Sequence, residues 1–223
     1  MRQHMIAAID GPAGSGKSSV ARLSASLLGY THLNSGALYR CVGLLALRRR
    51  AALDDEASLT ALAESSDMRF GHGGAVLLNG EDVSGELYTS AVTEAAAEAA
   101  VHPSVRRAMT AQQRKIAAEG NVVVEGRDVT TVVFPYAQAK FYLDASIEER
   151  ARRRHKELAE AGEAVSLAAI EREIRKRDRQ DRTRKHSPLQ IAPDAMVIDT
   201  TPLTIEQAAE AVVARVKELA ACG

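Results

Sequence analysis

Residues 11–19 read Gly-Pro-Ala-Gly-Ser-Gly-Lys-Ser-Ser and contain the spacing G-x-x-x-x-G-K-[ST]. Glycines at Gly11, Gly14 and Gly16 let successive backbone N–H groups turn inward around phosphate oxygens, with the positive end of a following helix behind them. In such a loop Lys17 supplies a mobile cation for the outer phosphates of ATP, and the Ser18 hydroxyl can reach Mg²⁺. Pro12, Ala13, Ser15 and Ser19 complete the segment expected to wrap the nucleotide. A plain Gly-rich connection between strand and helix would not also select the lysine and the hydroxyl residue after it.

A phosphate-binding loop does not name a reaction, because GTPases, motor ATPases and small-molecule kinases share it. The chain has no Asn-Lys-x-Asp segment of the kind that reads guanine in GTPases. Its arginines point to phosphoryl transfer. Leu33-Asn-Ser-Gly-Ala-Leu-Tyr-Arg40 follows the P-loop helix, and Glu125-Gly-Arg-Asp128 follows the apolar run 122–124, at an expected strand's carboxyl end. Open α/β sheets bind ligands at that edge, which makes Arg40 and Arg127 candidates for phosphate binding rather than surface salt bridges. Further on, Lys176-Arg-Asp-Arg-Gln-Asp-Arg-Thr-Arg184 sets Arg177, Asp181 and Arg184 at i, i+4 and i+7, on one helix face. A solvated helix of alternating charge has the same pattern. Arginines on a closing lid, stabilising charge as it spreads over the transferred oxygens, are the sharper reading.

The elements that position these groups follow from hydrophobic periodicity. Met5-Ile-Ala-Ala-Ile-Asp10 is a short apolar run that ends in the Gly-rich loop, and Val20, Leu23, Leu27 and Leu28 continue it as a helical pattern. Similar runs recur at 122–124, 139–143 and 195–198, separated by helical segments. Strands alternating with helices predict an α/β fold: a P-loop parallel sheet flanked by helices. One stretch breaks the alternation. Met68-Arg-Phe70, a Gly-rich turn at 71–74, Val76-Leu-Leu78 and an Asn79-Gly80 hairpin signal predict a small antiparallel sheet. Two helices follow, at about 89–101 and from Pro103 to about 118. Residues 67–119 are therefore expected to form an inserted subdomain, with 1–66 and 120–223 as the core. Between 150 and 186, thirteen Lys or Arg stand against seven acids, with Gly162 between two helical patterns, which predicts a helical hairpin lid.

The chain has 223 residues, 46% hydrophobic and 26% charged, with 29 basic and 29 acidic side chains. That balance excludes a disordered chain and leaves no global field to attract nucleic acid or membrane. Nor does an aromatic platform for nucleic acid accompany the basic segment. No apolar run approaches the ~20 residues that span a bilayer, and the start lacks a signal-peptide pattern, so the expected location is the cytoplasm. Cys41 and Cys222 form neither a disulfide framework nor a metal-ligand cluster.

Taken together and in order, Ile9-Asp-Gly-Pro-Ala-Gly-Ser-Gly-Lys17, Ser35-Gly-Ala-Leu-Tyr-Arg40, Gly80-Glu-Asp-Val-Ser84, Glu125-Gly-Arg-Asp128 with Thr131-Val-Val-Phe-Pro135, Phe141-Tyr-Leu-Asp-Ala-Ser146 with Glu149-Arg150, and the segment 176–184 resemble the bacterial cytidylate kinases over nearly the whole chain. The resemblance implies a nucleoside monophosphate kinase with a core, a nucleotide-binding insert and a lid, using ATP with Mg²⁺ and accepting CMP or dCMP, as a monomer. It assigns Ser35, Arg106, Asp128 and Arg184 to the pyrimidine base, Arg40 and Arg127 to the acceptor's phosphate, and Arg177 and Asp181 to the sugar. Arg153 and Arg154 fall on the ATP side, and Lys17, Arg127, Arg177 and Arg184 are the expected catalytic cations.

Three positions depart from the family pattern. Asn34 stands where Asp is common, Thr130 where Gly is common, and Ala97 where some members carry a serine that touches the sugar. Other acceptors, such as UMP, shikimate or dephospho-coenzyme A, and a P-loop switch protein, are the competing readings.

Overall fold

Each apolar run forms a strand in a computed structural model of the chain, which describes residues 4–71, 74–160 and 162–221. In chain order the elements are β1 (Ile6–Asp10), α1 (Lys17–Leu28), β2 (Thr31–Asn34), α2 (Ser35–Arg49), α3 (Glu56–Ser65), β3 (Met68–Phe70), β4 (Val76–Leu78) and β5 (Glu81–Asp82). Then come α4 (Ser90–Ala99), α5 (Pro103–Ala117), β6 (Val122–Gly126), a π-helical turn (Val129–Val133), β7 (Ala139–Asp144), α6 (Ile147–Glu160), α7 (Leu167–Thr183), β8 (Met196–Asp199) and α8 (Ile205–Ala221). Two compact units result: Met5–Gly29 with Val123–Gly223, and Tyr30–Val122 with the N-terminal residues.

The first of these holds a sheet with strands in the order β6-β1-β7-β8. Strand β1 runs parallel to β7 with Ile9 opposite Phe141, and β7 runs parallel to β8 with Leu143 opposite Ile198. Every residue of β1 and β6 is buried, as expected of strands covered on both faces. Helices α1 and α8 pack together, with α8 also against β7. Helices α6 and α7 form the expected hairpin around Ala151, Ile170 and Ile174, with Leu158 and Val165 beside them. Gly162 closes the turn in left-handed backbone (φ 81°), its N–H donating to the Ala159 carbonyl at 3.0 Å.

In the other unit, β3, β4 and β5 form the expected antiparallel sheet. Asn79 (φ 52°) and Gly80 (φ 86°) make its tight turn, the backbone that Asn-Gly selects. Two residues of the Gly-rich turn at 71–74, His72 and Gly73, lie outside the described residues, as does Cys222. Cys41 is a buried free thiol in α2. The unit begins at Tyr30 rather than at residue 67, because α2 packs on α4 and α3 on α5. That α2–α4 contact depends on Gly43. A Cβ there would come 2.7 Å from the Ala96 amide nitrogen and 3.0 Å from the Val92 carbonyl oxygen, so the two helices meet backbone to backbone. Among the described residues no helix is long and apolar enough to cross a membrane.

A methyl group at position 43 must push α4 away, and overpacking of a closed contact costs about 1 to 3 kcal/mol. Gly43→Ala is expected to lower unfolding stability by that amount in urea titration. An unchanged midpoint would show that the contact yields freely.

Candidate active site

The loop from Gly11 to Gly16 leaves β1 at its carboxyl end and opens α1. Gly14 (φ 78°) and Gly16 (φ 81°) take left-handed backbone, where side chains are strained. Gly11 is required for a different reason: a Cβ there would lie 2.2 Å from the Leu143 carbonyl oxygen. The first turn of α1 carries no acid of its own, so the helix's positive end faces the loop. Lys17 is buried, and its Nζ donates to the Pro12 carbonyl at 2.9 Å. Burial, then the neighbouring guanidinium of Arg127, holds its ammonium well below the ordinary lysine value, against the pull of Glu125. The Ser18 hydroxyl donates to Glu125 Oε2 at 2.7 Å, which pairs a hydroxyl and a carboxylate oxygen beside the loop.

At the carboxyl end of β1, Asp10 is fully buried and accepts three hydrogen bonds. Val129 N–H reaches Oδ1 at 3.0 Å, and Thr130 N–H and Oγ1 reach Oδ2 at 2.8 and 2.6 Å. The carboxylate thereby fixes the start of the π-helical turn that directly follows Arg127 and Asp128. Burial, opposed by these bonds and reinforced by the nearby charge of Asp128, raises its pKa to about 6.

Helix α7 delivers its side chains to the same edge. Arg127 Nε bonds Asp181 Oδ2 at 2.9 Å, and Arg184 approaches Asp128 and Asp181, each at 3.7 Å. Arg127, Asp128, Asp181 and Arg184 are thus brought together. Arg177 is exposed on α7 and lies within electrostatic range of Lys17. The expected single helical face of Arg177, Asp181 and Arg184 reaches the helix's last turn, where the Arg184 N–H still donates to the Gln180 carbonyl at 3.0 Å. The helix ends at Thr183 and Arg184 caps it in extended backbone (φ −60°, ψ 141°), shortly before Pro188, which cannot continue a helix. On the loop's other side, Arg153 donates to the Thr200 carbonyl at 2.6 Å and to Glu149 at 2.9 Å, while Thr200 Oγ1 donates to the Ser15 carbonyl at 3.0 Å. Arg154 instead pairs with Glu157 on the surface at 3.0 Å.

The unit around α2 holds Ser35, Arg40 and Arg106. Ser35 is buried at the first turn of α2. The Arg40 guanidinium stands 5.0 Å from the Tyr88 ring centre, and that of Arg106 5.5 Å from Tyr39, so each cation rests on an aromatic face. Arg106 is buried and also donates to the Ala100 carbonyl at 3.2 Å. Of the departures from the family pattern, Asn34 caps α2 by accepting from the Ala37 N–H at 3.0 Å, a role Asp would fill equally. Thr130 serves Asp10, and Ala97 is exposed on α4.

Sequence reasoning assigned no role to Asp10, Glu125, Tyr39 or Tyr88. The signal for the first two was present: each is an acid closing a buried apolar strand, where a charge needs a partner. The aromatic partners depend on tertiary placement and left no mark in spacing.

A glycine-rich phosphate loop at the carboxyl edge of a parallel sheet, ringed by lysine and arginine, defines a P-loop phosphotransferase. The cytidylate kinase family model matches residues 7–218. A cytidylate kinase of Geobacter sp. (strain M21) is 47% identical over 222 residues, covering 98% of this chain and 95% of that protein. One from Carboxydothermus hydrogenoformans is 47% identical, covering 95% of each, and one from Pasteurella multocida is 44% identical, covering 93% and 92%. The chain belongs to the cytidylate kinase family.

The raised pKa of Asp10 carries a sign. In the folded chain it binds its proton up to about pH 6, against 3.8 for an ordinary aspartate, so its contribution to stability is full below 3.8 and lost as pH rises through 6. Between pH 7 and pH 4.5 the parent should therefore gain about 2 kcal/mol relative to Asp10→Asn. Urea unfolding of both proteins at the two pH values measures this, and parallel pH dependence would contradict it.

Proposed function

We propose that the chain carries out Mg²⁺-dependent transfer of the ATP γ-phosphoryl group to the 5′-phosphate of CMP or dCMP, giving ADP and CDP or dCDP, in the cytoplasm and as a monomer. The observation that carries this reading is the joint presence of a formed P-loop and an arginine–carboxylate cluster in a chain of this family. The acceptor phosphate is already nucleophilic, so the protein need only position the two nucleotides and stabilise charge.

On the donor side, the backbone of residues 11–19 holds the ATP phosphates, Lys17 follows the transferred group, and Arg153 borders the loop. Arg154 joins the donor side by leaving Glu157. Oxygen ligands suit Mg²⁺, and the Ser18 hydroxyl beside Glu125 supplies that chemistry. Ser18 would hold the ion with the nucleotide's phosphates, and the bound ion would neutralise phosphate charge.

On the acceptor side, Arg40 and Arg127 take the CMP phosphate. Arg127 exchanges its carboxylate partner Asp181 for that phosphate, and Asp181 turns to the sugar with Arg177. Ser35, Arg106, Asp128 and Arg184 read the base. Cytosine offers N4–H donors beside N3 and O2 acceptors, which one carboxylate and a guanidinium complement. Segment 67–119 serves as the acceptor-binding insert, and 150–186 as the lid. During transfer Lys17, Arg127, Arg177 and Arg184 surround the developing charge.

Losing one transition-state donor costs on the order of 10²-fold or more in kcat, so Lys17→Ala is expected to fall by that factor while circular dichroism shows a folded chain. Near-normal turnover would remove the P-loop from the mechanism.

UMP presents a carbonyl to Asp128 and an N3 proton to Arg106. A mismatched buried polar group costs about 1 to 3 kcal/mol, so CMP should be preferred over UMP by at least roughly 10²-fold in kcat/KM. Asp128→Ala should narrow the ratio chiefly by losing CMP activity. Equal use of both acceptors by the parent would overturn the base-reading roles.

A further inference from the structure

The apolar packing of the α6–α7 hairpin is concentrated around Ala151, Ile170 and Ile174, before the segment of α7 that carries Arg177 and Asp181. Beyond Ile174, the shortest ion pairs between α7 and the rest of its unit among the described residues are Arg127–Asp181 at 2.9 Å and Arg150–Asp178 at 2.7 Å, with Arg184 3.7 Å from Asp128 at the helix end. They differ in kind. Asp181 has a second cation, Arg184, at 3.7 Å, and it is the carboxylate assigned above to the sugar. Asp178 is turned inward. Its Oδ2 takes Arg150, and its Oδ1 is buried without a hydrogen-bond partner among the described residues.

Arg150 is 3% exposed, and each edge of its guanidinium meets a different element. Nε donates to the Ala145 carbonyl just after β7 at 3.0 Å, Nη1 to the Ala13 carbonyl of the phosphate loop at 3.0 Å, and Nη2 to Asp178. The loop also rests on this residue, since a Cβ at Gly14 would lie 3.1 Å from Arg150 Cβ. A planar fork with fixed donor directions is a spacer. Beside it α7 borders an open cleft of about 490 Å³ lined by Asp144, Arg175 and Arg179 among others, so apolar packing does not back the pair on that side.

We infer that Arg150 and Asp178 are positioning residues for phosphoryl transfer: the pair sets the distance between the phosphate loop and the stretch of α7 that bears Arg177 and Asp181. When Asp181 exchanges partners, Arg150–Asp178 persists as a buried anchor of α7, beside the Arg182 contact to Tyr142. The inference rests on the lid role given above to Arg177. Misplacing a catalytic group by about 1 Å can cost on the order of 10²-fold, so the pair should act on kcat more than on either KM.

The test is steady-state kinetics with ATP and CMP, together with urea unfolding, on the full chain carrying Asp178→Asn, Asp178→Glu, the double change Arg150→Met with Asp178→Leu, and Arg177→Ala. Asp178→Asn is expected to lower kcat about tenfold or more, with smaller changes in both KM values, and Asp178→Glu to recover part of the loss. Removing both charges of a buried pair together is often neutral for stability. The double variant also takes the Arg150 donors from the Ala13 and Ala145 carbonyls, so it should unfold below the parental midpoint; still folded at the assay temperature, it should turn over slowly with near-parental KM values, a split that a merely structural pair would not give. A kcat within about twofold of the parent in the double variant, or in folded Asp178→Asn, would overturn the inference. If Asp178→Asn fails to fold, the double variant decides. Failure of the underlying lid reading shows separately, as unchanged kcat in Arg177→Ala.

Discussion

A sheet edge that receives phosphates must hold several cations close together in a partly dry place, where an uncompensated charge costs far more than in water. The rest of the site follows from how that cost is met. Arg127 lies against Asp181, Arg184 approaches Asp128 and Asp181, and Lys17 folds back onto the Pro12 carbonyl. Each is an arrangement that an anion can replace. The depressed pKa of Lys17 expresses the same constraint, since burial and the Arg127 guanidinium both oppose its charge. Phosphate binding and full charge on this lysine therefore favour one another.

Other pairs in the same unit serve as fixtures. Asp10 joins the end of β1 to the turn after Asp128 through three bonds, and Arg150 joins the loop, the end of β7 and α7. Both are buried and bonded to several elements, so they hold geometry fixed while, in the proposed mechanism, the more accessible pairs exchange. This division of exchangeable and fixed pairs gives a transition-state site its preorganised electrostatics without a large reorganisation during transfer.

Much of this was legible in the sequence because the relevant physics is local. The glycine spacing dictates positive φ at Gly14 and Gly16, the Asn79-Gly80 turn dictates a hairpin, and the apolar runs dictate buried strands. The charge pattern of 176–184 placed Asp181 correctly. It could not show that the helix stops at Thr183, with Arg184 as its cap, shortly before Pro188. What could not be read was long-range pairing: Asp10 with Thr130, Arg150 with Asp178, and the aromatic shelves under Arg40 and Arg106 join residues that nothing in local spacing relates. The extension of the second unit back to Tyr30 has the same origin, in the Gly43 contact between α2 and α4.

In the proposed mechanism Arg127 leaves Asp181 for the CMP phosphate. Arginine Nε–H resonances report this directly, with the Arg127 signal assigned by its loss in Arg127→Lys. Titration of the protein with CMP should move the Arg127 Nε–H signal to a new position that saturates with binding, as phosphate oxygens replace the Asp181 carboxylate. A signal that stays in place while CMP saturates the protein would contradict the exchange and return Arg127–Asp181 to the fixed pairs.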